Sequence, residues 1–406
     1  MAETKRQLIF LWPYLEWGGA QVYFMAIMKE AVKDWDITVV LPRESSPDLM
    51  RFLKQIDLKI EFMDLYIDAG LAPTIRRKLQ RQWRRIKVEI WICRFLRSYD
   101  LSQGILHLEV QPWQSWILLT LLALRHANVF VTLHNAPSQP PVWRRLVWRT
   151  RMAVVSRLPG FHIFTSNHDT RNKIRYLVKP SFWDDVAVTY TCVDPRQIDT
   201  VLRTGREPST LRRQHGINDN EFVVLCVGQF IDRKGRWTFL EAAKQLKARD
   251  DSVFIWVGPS APDGADQART AAYQLGDRFR FVLSNTIGET REEILEFFRI
   301  ADIFALPSFI EGLPIALLEA MALGLPCIST DISAIPEAID NGKTGVLIEA
   351  GDADALANEI LRLKDSPALR DEMGNSAREL VISTFDERDA SHIALDKYEE
   401  CFRNAR

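Results

Sequence analysis

One pattern recurs along this chain: a short, largely apolar run, then a glycine, proline or polar stop, then a helix-forming segment. Residues 8–11, 36–41, 129–133, 161–166, 222–227, 254–257, 280–283, 303–306, 327–330 and 345–348 are such runs. A strand apolar on both faces has to be covered on both faces, as strands of a parallel sheet are. Strand and helix in alternation predict an α/β chain with doubly wound parallel sheets. At about 150 residues per domain, the length predicts two or three domains, and the 47% of apolar residues supply their cores. The polar stretch 196–220, with Gly205, Pro208 and Gly216, reads as the connection between domains. This predicts domains over 1–200 and 201–385, with a polar helix over 386–406.

The most specific stretch is Pro307-Ser308-Phe309-Ile310-Glu311-Gly312-Leu313-Pro314-Ile315-Ala316-Leu317-Leu318-Glu319-Ala320-Met321-Ala322. Pro307 stops a strand. Pro314 stands where a first helical residue would, because its missing N–H is not needed there. Gly324 and Pro326 end the helix. A helix that starts after a glycine offers unpaired N–H groups and the positive end of its dipole, which suits a phosphate or diphosphate. Glu319 has Ile315, Ala316, Ala322 and Leu323 as helical neighbours, so its carboxylate needs a partner. That partner is either the protein, through a backbone group or an arginine, or a ligand hydroxyl. Glu311 near the helix start is worth only ~0.3–1 kcal/mol as a charge on a dipole. Glu319 lies ~7.5 Å along the axis from Pro314. Two carboxylates flanking a phosphate-binding helix end would suit a nucleotide-sugar.

The spacing Glu-x7-Glu within Pro-Ser-x-x-Glu-Gly-Leu-Pro-x-x-x-Leu-Glu-Ala-Met-Ala resembles the signature of glycosyltransferase family 4. That family comprises retaining enzymes of the GT-B fold, two Rossmann-like doubly wound domains facing each other across a cleft. With weaker motifs the likeness extends over most of the chain. The resemblance implies an acceptor-binding domain at 1–200 and a nucleotide-sugar-binding domain at 201–385. It also implies that the helix at 386–406 crosses back to the first domain.

Further candidates lie in the loops. Glu16-Trp17-Gly18-Gly19-Ala20-Gln21 follows the first strand, with a helix starting near Gln21. Paired glycines either make a tight turn or let a backbone approach a ligand. The resemblance places Gly18 and Gly19 near acceptor and diphosphate, and the family often has Glu where this chain has Gln21. His134 ends the 129–133 strand, where a parallel sheet presents its ligand crevice. It is structural or functional on that ground alone, and the resemblance places it close to the reacting sugar. Ser166 is a lesser candidate of the same kind. Residues 191–194, Thr-Cys-Val-Asp, match only the last two positions of the family's Asn-Gly-Val-Asp turn. Lys234, before Gly235, is a point charge suited to phosphate. Gln229 stands where the family usually has Arg, and Arg233 is a nearby replacement for that charge. Gly258 resembles the site near the nucleotide base, and Pro336-Glu337 matches a common family pair.

The formal net charge of −1 gives no overall pull towards nucleic acid. Five scattered cysteines without a Cys-x-x-Cys pair suggest a reducing compartment. Neither a signal peptide nor a spanning segment is predicted, since the longest apolar run, 116–124, is far short of the ~20 residues a bilayer needs. Within 75–97, nine basic residues stand against Glu89, interleaved with Trp83, Ile86, Ile90, Trp91, Phe95 and Leu96. Trp143, Arg144, Arg145, Trp148, Arg149 and Arg151 form a second such stretch. Basic amphipathic helices with Trp dock on anionic membranes; the competing reading has the Trp residues packed inward. The expected location is cytoplasmic, peripheral on the inner face of the membrane where these segments dock.

The expected function is transfer of a sugar from a nucleotide-diphosphate sugar to a hydroxyl of a glycan or lipid-linked acceptor. By family analogy this would serve surface polysaccharide or glycolipid synthesis. Glu311, Lys234 and His134 are the catalytic candidates. Gly18, Gly19, Gln229, Arg233, Lys234, Gly258, Gly312, Leu313, Pro314 and Glu319 are the donor-binding candidates. No metal and no cofactor beyond the co-substrate is expected, since helix N–H groups and cations would hold the diphosphate. Two alternatives stay open: a catalytically silent binding module, and a glycoside hydrolase using Glu311 and Glu319 as acid and nucleophile.

Overall fold

The computed structural model describes residues 5–15, 18–67, 74–135, 141–247 and 251–403. Glu16 and Trp17 of the glycine loop, residues 1–4 and the last three positions of the terminal segment lie outside the described residues. The chain packs as two compact units, residues 1–191 with 387–406, and residues 192–386.

The first unit is built on seven parallel strands: β1 Arg6–Leu11, β2 Trp35–Pro42, β3 Lys59–Met63, β4 Gly104–Leu108, β5 Asn128–Leu133, β6 Phe161–Thr165 and β7 Ala187–Val188. Their order is β3-β2-β1-β4-β5-β6-β7, with Leu8 beside Ile37 and Ile105 in register. Successive residues point to opposite faces. Ile9, Leu11, Leu106 and Val131 thus join Val88, Ile92, Leu118 and Met152 in one core layer. Leu8, Phe10, Val39 and Phe130 join Tyr23, Phe24, Met28 and Tyr398 in the other. The terminal helix Glu387–Arg403 lies against the helix Gly19–Ala31 in that second layer. It is tied there by Lys29–Glu387 at 3.1 Å and Arg6–Glu399 at 2.5 Å.

The second unit has six parallel strands: β8 Val223–Val227, β9 Val253–Gly258, β10 Phe279–Leu283, β11 Ile303–Leu306, β12 Cys327–Thr330 and β13 Val346–Ile348. Their order is β10-β9-β8-β11-β12-β13. Residues 192–200, which the sequence reading gave to the N-terminal domain, lie in this unit. The reason is a backbone link: the Val193 N–H donates to the Phe385 carbonyl at 2.9 Å. The helix Pro195–Thr204 then packs on the helix Arg291–Phe298.

In both sheets the strand order reverses next to the first strand, between β1 and β4 and between β8 and β11. At such switch points the loops leaving neighbouring carboxyl ends part in opposite directions and leave a crevice. The loops leaving β8 and β11 run through Lys234 and Glu311; those leaving β1 and β4 run through Gly18 and Glu109.

Candidate functional site

In the second unit two loops meet at the switch point. The one after β8 closes on Gly235, whose φ of +75° suits glycine. A side chain there would also collide with the Pro307 carbonyl, the added carbon lying 1.7 Å from its oxygen. The loops are joined further by the Phe309 N–H donating to the Arg233 carbonyl at 2.8 Å. The loop after β11 is anchored from β12: the Thr330 hydroxyl donates to the Ser308 carbonyl at 2.7 Å, and Ser329 to that of Leu306 at 2.8 Å.

This frame brings Lys234, Arg233 and Glu311 together. Lys234 Nζ lies 2.6 Å from Glu311 Oε1, and Arg233 Nη1 lies 3.9 Å from Oε2. The Ser308 hydroxyl donates to Oε1 at 2.8 Å, and Arg233 donates to the Ile310 carbonyl at 3.4 Å. Glu311 is buried, whereas the Arg233 side chain is 40% exposed. Two cations against one carboxylate leave one unit of positive charge where the Ile315–Ala322 helix begins. Among the described residues the amides of Gly312 and Leu313 meet no acceptor. A cationic pair beside open amides at a helix start has the chemistry to receive an anion.

Pro314 departs from expectation by one position. It caps the helix instead of opening it, since its ψ of 120° is not helical. Its carbonyl still accepts from Leu317 and Leu318 at 3.1 and 3.2 Å. At the far end, Gly324 at φ +82° closes the helix, with the Leu325 N–H on the Ala320 carbonyl. Glu319 is buried and meets Arg291, the first residue of the helix Arg291–Phe298. Gly258 ends β9, and a side chain there would press on the Phe281 ring at 2.8 Å. Gln229, in the loop after β8, is half-buried.

The first unit places the remaining candidates at the carboxyl end of its own sheet. Gly18 caps a helix that starts at Gly19, two residues before the expected Gln21. The Gly18 N–H donates to Gln21 Oε1 at 3.0 Å. This is one arm of a capping box, since glycine has no side chain to complete it: the helix can start early because a Gln side chain reaches back to the cap N–H. Gln21 in turn donates to Glu109 beyond β4 at 3.4 Å. A Glu at position 21, frequent in the resembled family, would set two carboxylates against each other here. Among the described residues, chain neighbours aside, no atom comes within 4 Å of where a Gly18 side chain would start.

His134 follows β5 directly. The rings of Tyr23 and Phe24 meet its imidazole edge-on at 5.1 and 5.6 Å. Burial lowers its pKa to about 4, so the ring is neutral at pH 7. Its Nε2 has no hydrogen-bond partner among the described residues. Ser166 and Asn167 donate to the His134 carbonyl at 3.3 and 3.2 Å, fixing the backbone. Beneath it runs a buried polar chain that the sequence did not reveal. Tyr398 and Thr132 flank the two nitrogens of His107 at 2.5 and 2.7 Å, Thr132 donates to Tyr23, and Tyr23 meets Thr189 at 2.5 Å.

Arg291 and Ser308 were also missed. Ser308 stood inside the quoted motif. Arg291 had a local signal, the Thr-x-x-Glu capping pattern of Thr290 and Glu293, but nothing local linked it to Glu319, 28 positions on. Among the described residues no three His, Cys, Asp or Glu side chains gather as a metal site.

Comparison with known proteins bears on the same unit. The family described as glycosyl transferases group 1 matches residues 208–380. The N-acetyl-alpha-D-glucosaminyl L-malate synthase of Bacillus anthracis is 28% identical over 219 residues, 54% of each chain. The UDP-Gal:alpha-D-GlcNAc-diphosphoundecaprenol alpha-1,3-galactosyltransferase of Escherichia coli is 32% identical over 173 residues, 42% of this chain and 43% of that one. The chain thus spans about half the length of the curated relatives it matches. Among solved structures, a glycosyltransferase from Rickettsia africae superposes with a TM-score of 0.76 at 18% identity, covering 99% of this chain and 100% of that one. The Anabaena protein HepE, in complex with UDP and glucose, superposes with a TM-score of 0.75 at 16% identity, covering 97% and 99%. Residues 208–380, within the second unit, thus match the glycosyl transferases group 1 family, and the chain has the GT-B fold of its structural neighbours.

Proposed function

We propose that this protein is a retaining glycosyltransferase that moves a sugar from a nucleotide-diphosphate sugar to a hydroxyl of a glycan or lipid-linked acceptor. The observation that carries this reading is the Lys234–Glu311–Arg233 cluster beside the open Gly312 and Leu313 amides. As the glycosidic bond breaks, negative charge grows on the diphosphate and positive charge on the sugar. Lys234, Arg233 and the amides stabilise the first, and the Glu311 carboxylate stabilises the second. Preorganised donors of this kind are worth ~3–4 kcal/mol each. Glu319 receives the ribose hydroxyls. In the first unit, His134 offers its free Nε2 to a sugar hydroxyl, and the bare Gly18–Gly19 backbone admits a ligand. HepE, with UDP and glucose bound, makes UDP-sugars the first donors to test. The E. coli relative's name makes diphosphate-linked lipids the first acceptors. The hydrolase alternative needs Glu311 and Glu319 free as acid and nucleophile, and each faces a cation instead.

Docking on an anionic membrane surface belongs to the same reading. The helices Ile75–Phe95, Trp116–Ala123 and Val142–Val155 pack side by side on one sheet face. Ile75, Leu79, Trp83, Ile86 and Ile90 are exposed at spacings of three and four, so they form one stripe. Ile117, Leu121 and Leu124 form a second stripe, and Val142, Trp143 and Leu146 a third. The inward-packing alternative holds for Trp91 and Trp148, which stack on Phe95 and Trp113, and fails for Trp83 and Trp143, both about two-thirds exposed. Apolar stripes bordered by arginines suit insertion at an anionic interface. Among the described residues no helix is long and apolar enough to cross a membrane.

The test is a binding and turnover screen with UDP-, GDP- and ADP-sugars, read by calorimetry and by sugar transfer to diphosphate-linked lipids and soluble glycans. One nucleotide class should bind and turn over with retention at the anomeric carbon. Binding without turnover on any acceptor would favour the silent binding module, and no binding by any nucleotide would overturn the donor site.

A further inference from the structure

The helix Arg291–Phe298 opens with a reciprocal cap. Thr290 Oγ1 accepts the Glu293 N–H at 3.2 Å, and the Glu293 carboxylate accepts the Thr290 N–H at 2.9 Å. That cap fixes Arg291 as the first helical residue, where a cation opposes the helix dipole. Burial also works against its charge and pulls the guanidinium pKa down. Two unfavourable effects at one residue require a compensating contact, and the structure shows it: Arg291 Nη2 meets Glu319 Oε1. Glu319 sits in an otherwise apolar helix with 8% of its side chain exposed.

We propose that Arg291 is a positioning residue of the nucleotide site: by holding one oxygen of Glu319, it keeps the other as an ordered acceptor for the ribose hydroxyls. The inference rests on the donor-site reading above and adds a residue that reading does not need. A carboxylate on a flexible side chain loses rotamer freedom when it grips a diol. A partner that has already fixed it removes that loss from the binding step. The ribose-dependent part of affinity therefore depends on Arg291, and the diphosphate-dependent part, carried by Lys234 and the loop amides, does not.

The experiment separates those parts. The best binder among UDP, GDP and ADP, its 2′,3′-dideoxy analogue and inorganic pyrophosphate are titrated into wild type, Arg291→Met and Arg291→Lys. Wild type should prefer the ribonucleotide over the dideoxy analogue by about tenfold or more, the scale of hydrogen bonds to a charged group. Arg291→Met should lose most of that preference while keeping its pyrophosphate affinity within about twofold, and Arg291→Lys should regain part of it. With the sugar donor, KM should rise about tenfold in Arg291→Met and kcat should stay within about threefold. Should Arg291→Met fail to fold, Arg291→Gln carries the same expectations. A variant that prefers the ribonucleotide as wild type does overturns this inference alone. A wild type that binds every nucleotide no better than pyrophosphate overturns it together with the donor-site reading.

Discussion

Lys234 Nζ lies 2.6 Å from Glu311 Oε1, so two residues 77 positions apart in the chain face each other. Each holds the other at the position where its charge is needed. A buried carboxylate without a cation, or the reverse, would be strongly destabilising. The pair thus serves the fold, and under the proposed function the same two charges would face the donor.

This pairing predicts coupled losses. Glu311→Ala and Lys234→Ala should each lower sugar transfer at least ~10²-fold. The double variant should lose much less than the product of the two, because residues in contact are not independent. Initial rates with the donor found in the nucleotide screen check this; near-normal turnover in both single variants would refute the assignment.

Gly235→Ala should lower unfolding free energy by ~1–3 kcal/mol or more, since it combines a left-handed backbone with a collision against the Pro307 carbonyl. Urea denaturation measures the loss. Nucleotide affinity should fall with it, because Pro307 leads into the Glu311 loop.

His134 makes stability depend on pH. Its pKa is about 4 in the folded chain against an ordinary value of 6.5, so the unfolded chain binds more protons between those values. The contribution is complete above pH 6.5 and is lost as pH falls towards 4, reaching roughly 2 kcal/mol at pH 5. His107, also lowered by burial, acts in the same direction. Comparing wild type and His134→Gln in urea at pH 7 and pH 5 should show a smaller pH effect in the variant. Equal pH effects would remove His134 as the source.

Tyr398→Phe should cost about 1–3 kcal/mol, because it leaves the buried His107 Nδ1 without its partner at 2.5 Å. The packing of the ring is kept, so calorimetric unfolding isolates the hydroxyl. A change below ~0.5 kcal/mol would show that the polar chain contributes little.

Membrane docking predicts that Trp83→Ala combined with Trp143→Ala weakens binding to phosphatidylglycerol-containing vesicles at least about tenfold, as lost buried apolar area requires. Replacing Arg76, Arg77 and Arg81 by Gln should weaken it by about 1 kcal/mol per charge, and less at high salt. Co-sedimentation with anionic and with pure phosphatidylcholine vesicles reads both. Equal binding to the two vesicle types would refute the electrostatic part.

Much of this was legible in the chain. Apolar runs broken at glycine and proline located ten of the thirteen described strands, because backbone geometry is a local matter, and left out β3, β4 and β7. The stretch from Pro307 to Ala322 located the loop and the helix Ile315–Ala322 for the same reason, apart from a one-residue shift in which Pro314 caps the helix. Exposed Trp83 and buried Trp91 stand on one helix, and the sequence could not sort them, since which face is covered depends on the neighbours.

By itself, then, the sequence determined the alternation of strands and helices and the short motifs, whose causes lie within a few residues. Only the tertiary structure decided who meets whom: Lys234 with Glu311, Arg291 with Glu319, Tyr398 with His107. Those partners come from different loops and helices, and the strand order β10-β9-β8-β11-β12-β13, which no local segment encodes, sets the loop after β8 beside the loop after β11. A charge finds its counter-charge through space, and distance in space is fixed only when the sheets are assembled.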